Sequence, residues 1–267
     1  MGWSYHNKPP MGWPLDYDSS LVPDAGFWLL NEGTGNKVFD LSGNGNTGTF
    51  VSDVTWKVGD VGPAIKFAGN NDYVTIPGKA IYNFAGPFTV VISSKPSSQD
   101  ARQDIVTRGD PATEDYFYLR QETTLTGRYR FHVKAQGDTD IIQSDGPPST
   151  TRYQQVVGRK DGVGNLNLFV DGILQADTDV IDSGALDTAV ASPLKFGISF
   201  SNTNDHTGRL GYVYLYNRAL SNSEIALLYR EPFCMFKDPD EVSVLGSFGV
   251  PAGMVGAMTT NTGYWGW

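Results

Sequence analysis

The chain has 267 residues, enough for one large domain with a sizeable core. Its net charge of −9 argues against duplex nucleic acid as a partner, because phosphate binding needs a surplus of Lys and Arg. The single cysteine, Cys234, rules out an internal disulfide framework, and the longest apolar runs, around Phe27–Leu30 and Val90–Ile92, are too short for membrane insertion.

In chain order, residues 1–23 read as an extended arm rich in Pro, Gly, Trp and Tyr, with neither helical nor strand period. Its first stretch, Met1 to Pro14, lacks a basic n-region and an apolar h-region, so no export signal is expected. Residues 24–230 alternate short apolar stretches with Gly, Asn, Asp and Pro, the pattern of an all-β sandwich. Residues 231–267 form a second extended arm.

Within the central part, Tyr116-Phe117-Tyr118-Leu119-Arg120 should turn Phe117 and Leu119 inward and Tyr116, Tyr118 and Arg120 outward. Arg128 to Lys134 repeats the scheme, with Tyr129, Phe131 and Val133 inside and Arg128, Arg130, His132 and Lys134 outside. Leu166, Leu168 and Val170 form a third inward row, followed by the tight-turn pair Asp171-Gly172. Arg209 to Tyr216 also alternates, but both of its faces are partly apolar. One helix is expected: Ser221-Asn222-Ser223-Glu224 is a capping box, Ile225, Leu228 and Tyr229 give an apolar stripe, and Pro232 closes it. This helix should cover one edge of the sandwich.

Several runs carry a family pattern: Asn31-Glu32-Gly33-Thr34-Gly35, Asp40 to Gly48, Gly62-Pro63-Ala64-Ile65-Lys66-Phe67, Asn70 to Val74, Phe88-Thr89-Val90, Tyr153 to Val157, Leu168 to Gly172, and Tyr216-Asn217-Arg218-Ala219-Leu220-Ser221 with Glu224-Ile225. In order and spacing they resemble the laminin-G-like domains of the concanavalin-A-like lectin/glucanase superfamily. The resemblance implies a two-sheet antiparallel jelly-roll sandwich with one short C-terminal helix and irregular terminal arms. The lead-in and the run Tyr229-Arg230-Glu231-Pro232-Phe233 also resemble laminin-G-like proteins of phage and viral type. Such a fold without an export signal fits a virion protein released by lysis; a trimmed leader or a non-classical export route fits as well.

The resemblance further implies Ca2+ beside the glycine-asparagine loop, with Asp40, Ser42 and Asn44 as ligands; a metal-free, hydrogen-bonded loop is the other reading. Val51 at the twelfth position rejects an EF-hand. Where an acid of the family often joins the metal site near the last strand, Gly211 and Tyr212 stand here. Superfamily glycosidases carry acids in an E-x-D-x-x-E strand, and none is present; Glu114-Asp115 and Glu122 read as solvated loop acids, and no catalytic residue is expected. His6, His132 and His206 lack metal-type spacing, and Cys234 reads as a buried inert thiol.

Binding is the expected role. Tyr116, Tyr118, Arg120, Arg128, Arg130 and His132 would form an aromatic and basic band for sugar rings and their acidic groups. The same face could instead pack against another subunit or simply be wet. The arms hold Trp3, Trp13, Phe233, Trp265 and Trp267, a load of aromatics that must be buried in cis or across neighbouring subunits. The expected function is a non-catalytic decoration or attachment protein of a virus particle or similar assembly, a homo-oligomer meeting capsid or tail proteins and cell-surface glycans. A freestanding lectin is the alternative.

Overall fold

The computed structural model describes residues 7–84, 86–109, 115–123, 127–181, 184–186 and 191–237. Two antiparallel sheets face each other. The first runs β14 (Ile173–Val180), β13 (Asn165–Val170), β12 (Gln154–Lys160), β7 (Phe88–Pro96), β16 (Thr207–Tyr216), β5 (Gly62–Ala68) and β4 (Thr55–Gly59), with β1 (Gly26–Trp28) also paired to β16. The second runs β11 (Asp138–Gln143), β10 (Tyr129–Ala135), β9 (Tyr116–Gln121), β8 (Gln103–Arg108), β15 (Leu194–Phe196), β6 (Tyr73–Ile76), β3 (Gly48–Val51) and β2 (Lys37–Val38). One helix, α1 (Asn222–Arg230), follows β16. This is the expected jelly-roll sandwich.

The inward rows meet as the alternation predicts. Phe117, Leu119, Tyr129, Phe131, Val133, Leu166 and Leu168 all lie in the core between the sheets. Phe84 stacks on Phe88 at 4.6 Å, and Phe88 meets Phe117 and Phe131 at 5.3 and 6.0 Å. Phe131 of β10 presses directly on β12 of the opposite sheet: a Cβ on Gly158 would lie 2.5 Å from the ring, so only glycine fits. The Asp171-Gly172 turn takes φ of 52° and 75°, the left-handed pair of a tight hairpin joining β13 to β14.

Strand β16 is buried on both faces. Leu210, Val213 and Leu215 enter the core, while Tyr212, Tyr214 and Tyr216 point outward under a second apolar layer. A register shift between Leu210 and Tyr212, around Gly211, separates the two stretches of the strand. The helix supplies part of the cover through Ile225 and Leu228. Its capping box forms as expected: Glu224 N donates to Ser221 Oγ, and Ser221 N donates to Glu224 Oε2 at 2.7 Å. The helix lies across the outer face of the first sheet and not along an edge, because Val91, Val157 and Phe169 need covering there.

Both arms complete this layer in cis. Leu15 bridges Phe236 antiparallel, Asp16 N donates to Met235 O at 2.8 Å, and Lys237 N donates to Pro14 O at 3.0 Å. Trp13 Nε1 donates to Lys237 O, and Tyr216 and Tyr214 hydroxyls donate to Leu21 O and Pro232 O. Phe233 is fully buried against Tyr212. Trp13 and Phe233, expected as assembly residues, are therefore packed on their own sandwich; the outward tyrosines of β16 draw them in. Trp3, Trp265 and Trp267 lie outside the described residues, as do His6, Glu114 and the acids at 238–241. Replacing Phe233 by Ala should cost about 3–5 kcal/mol of stability, read as a lower urea midpoint with an unchanged slope. An unshifted midpoint would mean that the arm does not cover the sheet.

Candidate functional site

The outer face of the second sheet carries the predicted band. Antiparallel register places His132 of β10 opposite Tyr118 of β9 and Arg130 opposite Arg120. Tyr116 and Tyr118 lie parallel at 5.6 Å, and the His132 ring meets both edge-on at 4.9 and 4.6 Å. Its Nε2 is 2.9 Å from the Tyr116 hydroxyl and 3.0 Å from Thr139 Oγ1, while Nδ1 engages the Tyr118 hydroxyl. The Arg120 guanidinium covers the Tyr118 ring at 3.8 Å. Arg128 lies at the end of the row, donating to Ser144 O at 2.9 Å.

Two acids interleave with these cations. Asp104 stands opposite Arg120 in the β8–β9 register and takes its Nε at 2.7 Å, with Asn204 Nδ2 at 3.2 Å. Glu122 receives Arg102 at 2.5 Å and Arg130 at 3.1 Å, with Arg120 at 3.9 Å. Burial works against the charge of Glu122, yet the surrounding guanidiniums hold its pKa below the usual carboxylate range. Burial raises Asp104 in spite of Arg120. Glu122, expected as a solvated acid, is 2% exposed and is the hub of three ion pairs; Asp115 is also buried and accepts from Gln136 N.

This arrangement corrects the expected open band in two respects. It is a closed ladder of paired charges and not a basic stripe, and its tyrosines are only 5–6% exposed, with one face of Tyr118 under Arg120. A sugar ring needs a free aromatic face, which these two side chains do not offer. Asp104 and Glu122 escaped the sequence reading because their partners lie on other strands or across a turn.

The glycine-asparagine loop is also closed on itself. Asp40 Oδ1 accepts from Phe27 N and Ser42 N at 2.9 Å each, and Oδ2 accepts from Ser42 Oγ at 2.8 Å and Asn46 N at 3.0 Å. Asn44 turns its amide nitrogen, not its oxygen, to Asp24 O and Ser42 Oγ. The Lys79 ammonium sits on the carbonyls of Asn44 and Gly45 at 2.5 and 3.1 Å. Asp40, Ser42 and Asn44 thus do not fit a divalent cation; they tie β1 to the loop, where the Trp28 indole donates to Asn46 O at 2.8 Å. No group of three or more His, Cys, Asp or Glu placed to hold a metal ion occurs among the described residues. Burial pushes the Cys234 thiol up to about 11, which leaves it a poor nucleophile.

A concave site that sequence reading missed lies between the N-terminal arm and the loops following β1 and β2. It encloses about 310 Å³ and is lined by Trp13, Tyr17, Leu29, Phe39 and Leu41 with Asn31 and Glu32. Here the aromatics are open: Tyr17 is 79% and Phe39 45% exposed, and Trp13 is half-buried. Asn31 Nδ2 holds Pro9 O at 2.9 Å. Glu32 Oε1 accepts from Phe39 N at 2.7 Å, its Oε2 is buried without a hydrogen-bond partner, and burial raises its pKa. An apolar cleft with a few polar groups on its wall is the usual form of a small-ligand site.

A family model described as the concanavalin A-like lectin/glucanases superfamily, of laminin G type, matches residues 68–226, and the chain belongs to that superfamily. No curated protein sequence matches it. Among solved structures, the binding domain of Paraclostridial Mosquitocidal Protein 1 superposes with a TM-score of 0.62 at 19% identity, over 78% of this chain and 51% of that one. The ligand binding domain of botulinum neurotoxin serotype D, in complex with N-acetylneuraminic acid, gives 0.61 at 16% identity, over 78% and 51%. Domain 4 of AbnA, an extracellular arabinanase from Geobacillus stearothermophilus, in complex with arabinotriose, gives 0.58 at 14% identity, over 71% and 91%. The chain spans about half the length of the two toxin domains. These likenesses establish the shared fold.

The buried histidines set a pH dependence. Burial lowers His206 to about 4, and burial together with Arg120 and Arg130 lowers His132 to about 4, against 6.5 when unfolded. Between those limits the unfolded chain binds protons that the native one refuses. The histidine contribution to stability is therefore complete above about pH 6.5 and is lost as the pH drops toward 4, by roughly 3 kcal/mol for His206. Urea midpoints measured across this window should fall more steeply for wild type than for His206→Gln; equal slopes would rule out a neutral buried His206.

Proposed function

We propose that this protein is a non-catalytic saccharide-binding module and that its ligand enters the cleft beneath the N-terminal arm. The observation that carries the reading is the cleft itself: open faces of Tyr17 and Phe39 beside Trp13, with Asn31 and Glu32 on the same wall. Aromatic faces take up the apolar side of a sugar ring, and a carboxylate and an amide fix its hydroxyls. The fold is shared with domains solved with N-acetylneuraminic acid and with arabinotriose, which supports a glycan as ligand. The absence of catalysis is supported by Asp104 and Glu122, whose oxygens are committed to guanidiniums.

The wider setting in this reading is an attachment or decoration component of a virus particle or comparable surface assembly. Its support is the resemblance of the N-terminal lead-in and of the Tyr229 to Phe233 run to viral laminin-G-like chains. Neighbouring subunits and capsid or tail proteins would then be partners, with cell-surface glycans at the cleft. No described helix is long and apolar enough to cross a membrane.

Glycan-array screening followed by calorimetric titration of any hit tests the cleft. Tyr17→Ala and Phe39→Ala should each weaken binding on the order of tenfold without changing thermal stability, since each ring contributes about 1 kcal/mol or more and both are exposed. The paired Tyr118→Ala/Arg130→Ala variant should bind as wild type does when still folded. A wild type silent across the array, or full affinity in both cleft variants, would end the reading.

A further inference from the structure

The layer of helix and arms covers only part of the outer face of the first sheet. It reaches Tyr212 on β16; on the other side of the register shift at Gly211, the outward residue is Arg209. Arg209 stands directly opposite Lys66 of β5 on one flank and Lys95 of β7 on the other. Lys57 of β4 joins the row diagonally, because Thr55, two residues away, is the partner of Lys66. Lys57 is exposed and the other three are half-buried. Arg209 donates to Val58 O at 3.0 Å, and the Lys95 ammonium stands 5.9 Å from the centre of the Tyr153 ring. Among the described residues none of these four cations forms an ion pair, either with Asp60 of the adjoining turn or with any other acid. Adjacent strands lie about 4.8 Å apart, so three positive charges fall within about 10 Å. Like charges directly opposite one another destabilise a sheet, and an anionic partner relieves them.

The opposite edge of the same sheet carries the reverse arrangement. β14 is the last strand there, and β11 of the second sheet lies against it. Asp140 of β11 and Asp179 of β14 meet across this seam, with Asp138 and Asp177 two residues along each strand. Asp140 accepts from Ile141 N at 2.7 Å, yet burial, and then Asp179 and Asp138, raise its pKa. Neither Asp140 nor Asp179 forms an ion pair among the described residues.

We infer that the cation row is the docking surface for the acidic β11–β14 seam of a second copy of this chain. The contact is heterologous: each copy carries the row towards one edge of its sheet and the seam at the other, so copies join head to tail into a ring or a filament. Each cluster of like charge is relieved by its complement. The inference rests on the assembly setting proposed above, and it supplies a surface for contact between copies that Trp13 and Phe233, packed in cis, do not. A neutral sugar fits the row less well. The four side chains are donors only, whereas hydroxyls also need acceptors, and Lys95 stands over the Tyr153 ring.

Sedimentation velocity on the full chain tests the contact. Wild type at about 0.1 mM should associate in about 50 mM salt and do so on the order of tenfold more weakly in about 0.5 M salt. Lys66→Glu/Arg209→Glu should be monomeric, and so should Asp140→Lys/Asp179→Lys, with unchanged melting temperatures. An equimolar mixture of the two should associate again, because each reversed surface meets its complement on the other variant. A merely structural role for these residues produces no such rescue. If a double variant melts lower, Lys66→Glu and Asp179→Lys alone replace it with the same expectations. Oligomers indifferent to both variants would overturn the inference and leave the assembly setting standing. A mixture that stays monomeric would overturn it too, and a wild type monomeric in low salt would remove self-assembly altogether. Saturable binding of dextran sulfate to a monomeric wild type, lost in Lys66→Glu/Arg209→Glu, would assign the row to an acidic polysaccharide instead.

Discussion

The double burial of β16 is the constraint on which the rest of the molecule depends. One side of this strand feeds Leu210, Val213 and Leu215 into the core, and the other presents Tyr212, Tyr214 and Tyr216. Three outward tyrosines in a row cannot be left in water without forfeiting burial of about 1.5–3 kcal/mol each. The helix covers some of this surface, and the two arms cover the remainder. The tyrosine hydroxyls then choose where the cover lies, because each buried O–H must find an acceptor: Tyr214 takes Pro232 O and Tyr216 takes Leu21 O. An architecture of two sheets thus becomes one of three layers, and its third layer is assembled from both ends of the described chain.

Much of this was legible in the sequence, wherever the signal was local. The alternation of Tyr129, Phe131 and Val133 named the inner face of β10, Asp171-Gly172 named the turn between β13 and β14, and Ser221 to Glu224 named the start of the helix. The two apolar faces of Arg209 to Tyr216 were visible as well, although the layer they called for was not. The side chains that missed their expected roles did so through long-range pairing. Glu122 looked solvated because Arg102 is 20 positions away in sequence, and the Tyr118 face looked open because Arg120 could not be seen to fold over it. Lys8 lies in the N-terminal arm, a stretch with no periodicity at all, and the carbonyls that its buried ammonium meets are spread from Leu30 to Gly211. A carbonyl carries no side-chain signature, so a site built from carbonyls is invisible to any reading of residue types.

The distribution of charge follows the same logic. The protein is acidic overall, yet several of its buried charges are paired within the fold: Arg120 with Asp104, and the guanidiniums of Arg102 and Arg130 with Glu122. Removing either member of such a pair strands the other in low dielectric, which is why these contacts specify a single packing more than they add stability. What remains open to a ligand is correspondingly small. The ladder on the second sheet offers closed ring faces, whereas the arm cleft offers exposed ones.

The closure of the two arms on one another has a mechanical consequence. Leu15 and Phe236 form an antiparallel bridge close to the two points where the described chain leaves the sandwich. Tension drawn through both flanks would open that bridge like a zip, one hydrogen bond at a time, without loading the sheets in shear. On the N-terminal side the pull reaches Lys8 before it reaches Leu15, so the ammonium and its oxygens act as the first anchor. The sandwich thus stands behind two sacrificial contacts, and traction on the flanks would be absorbed at the rim before any strand of the core is strained.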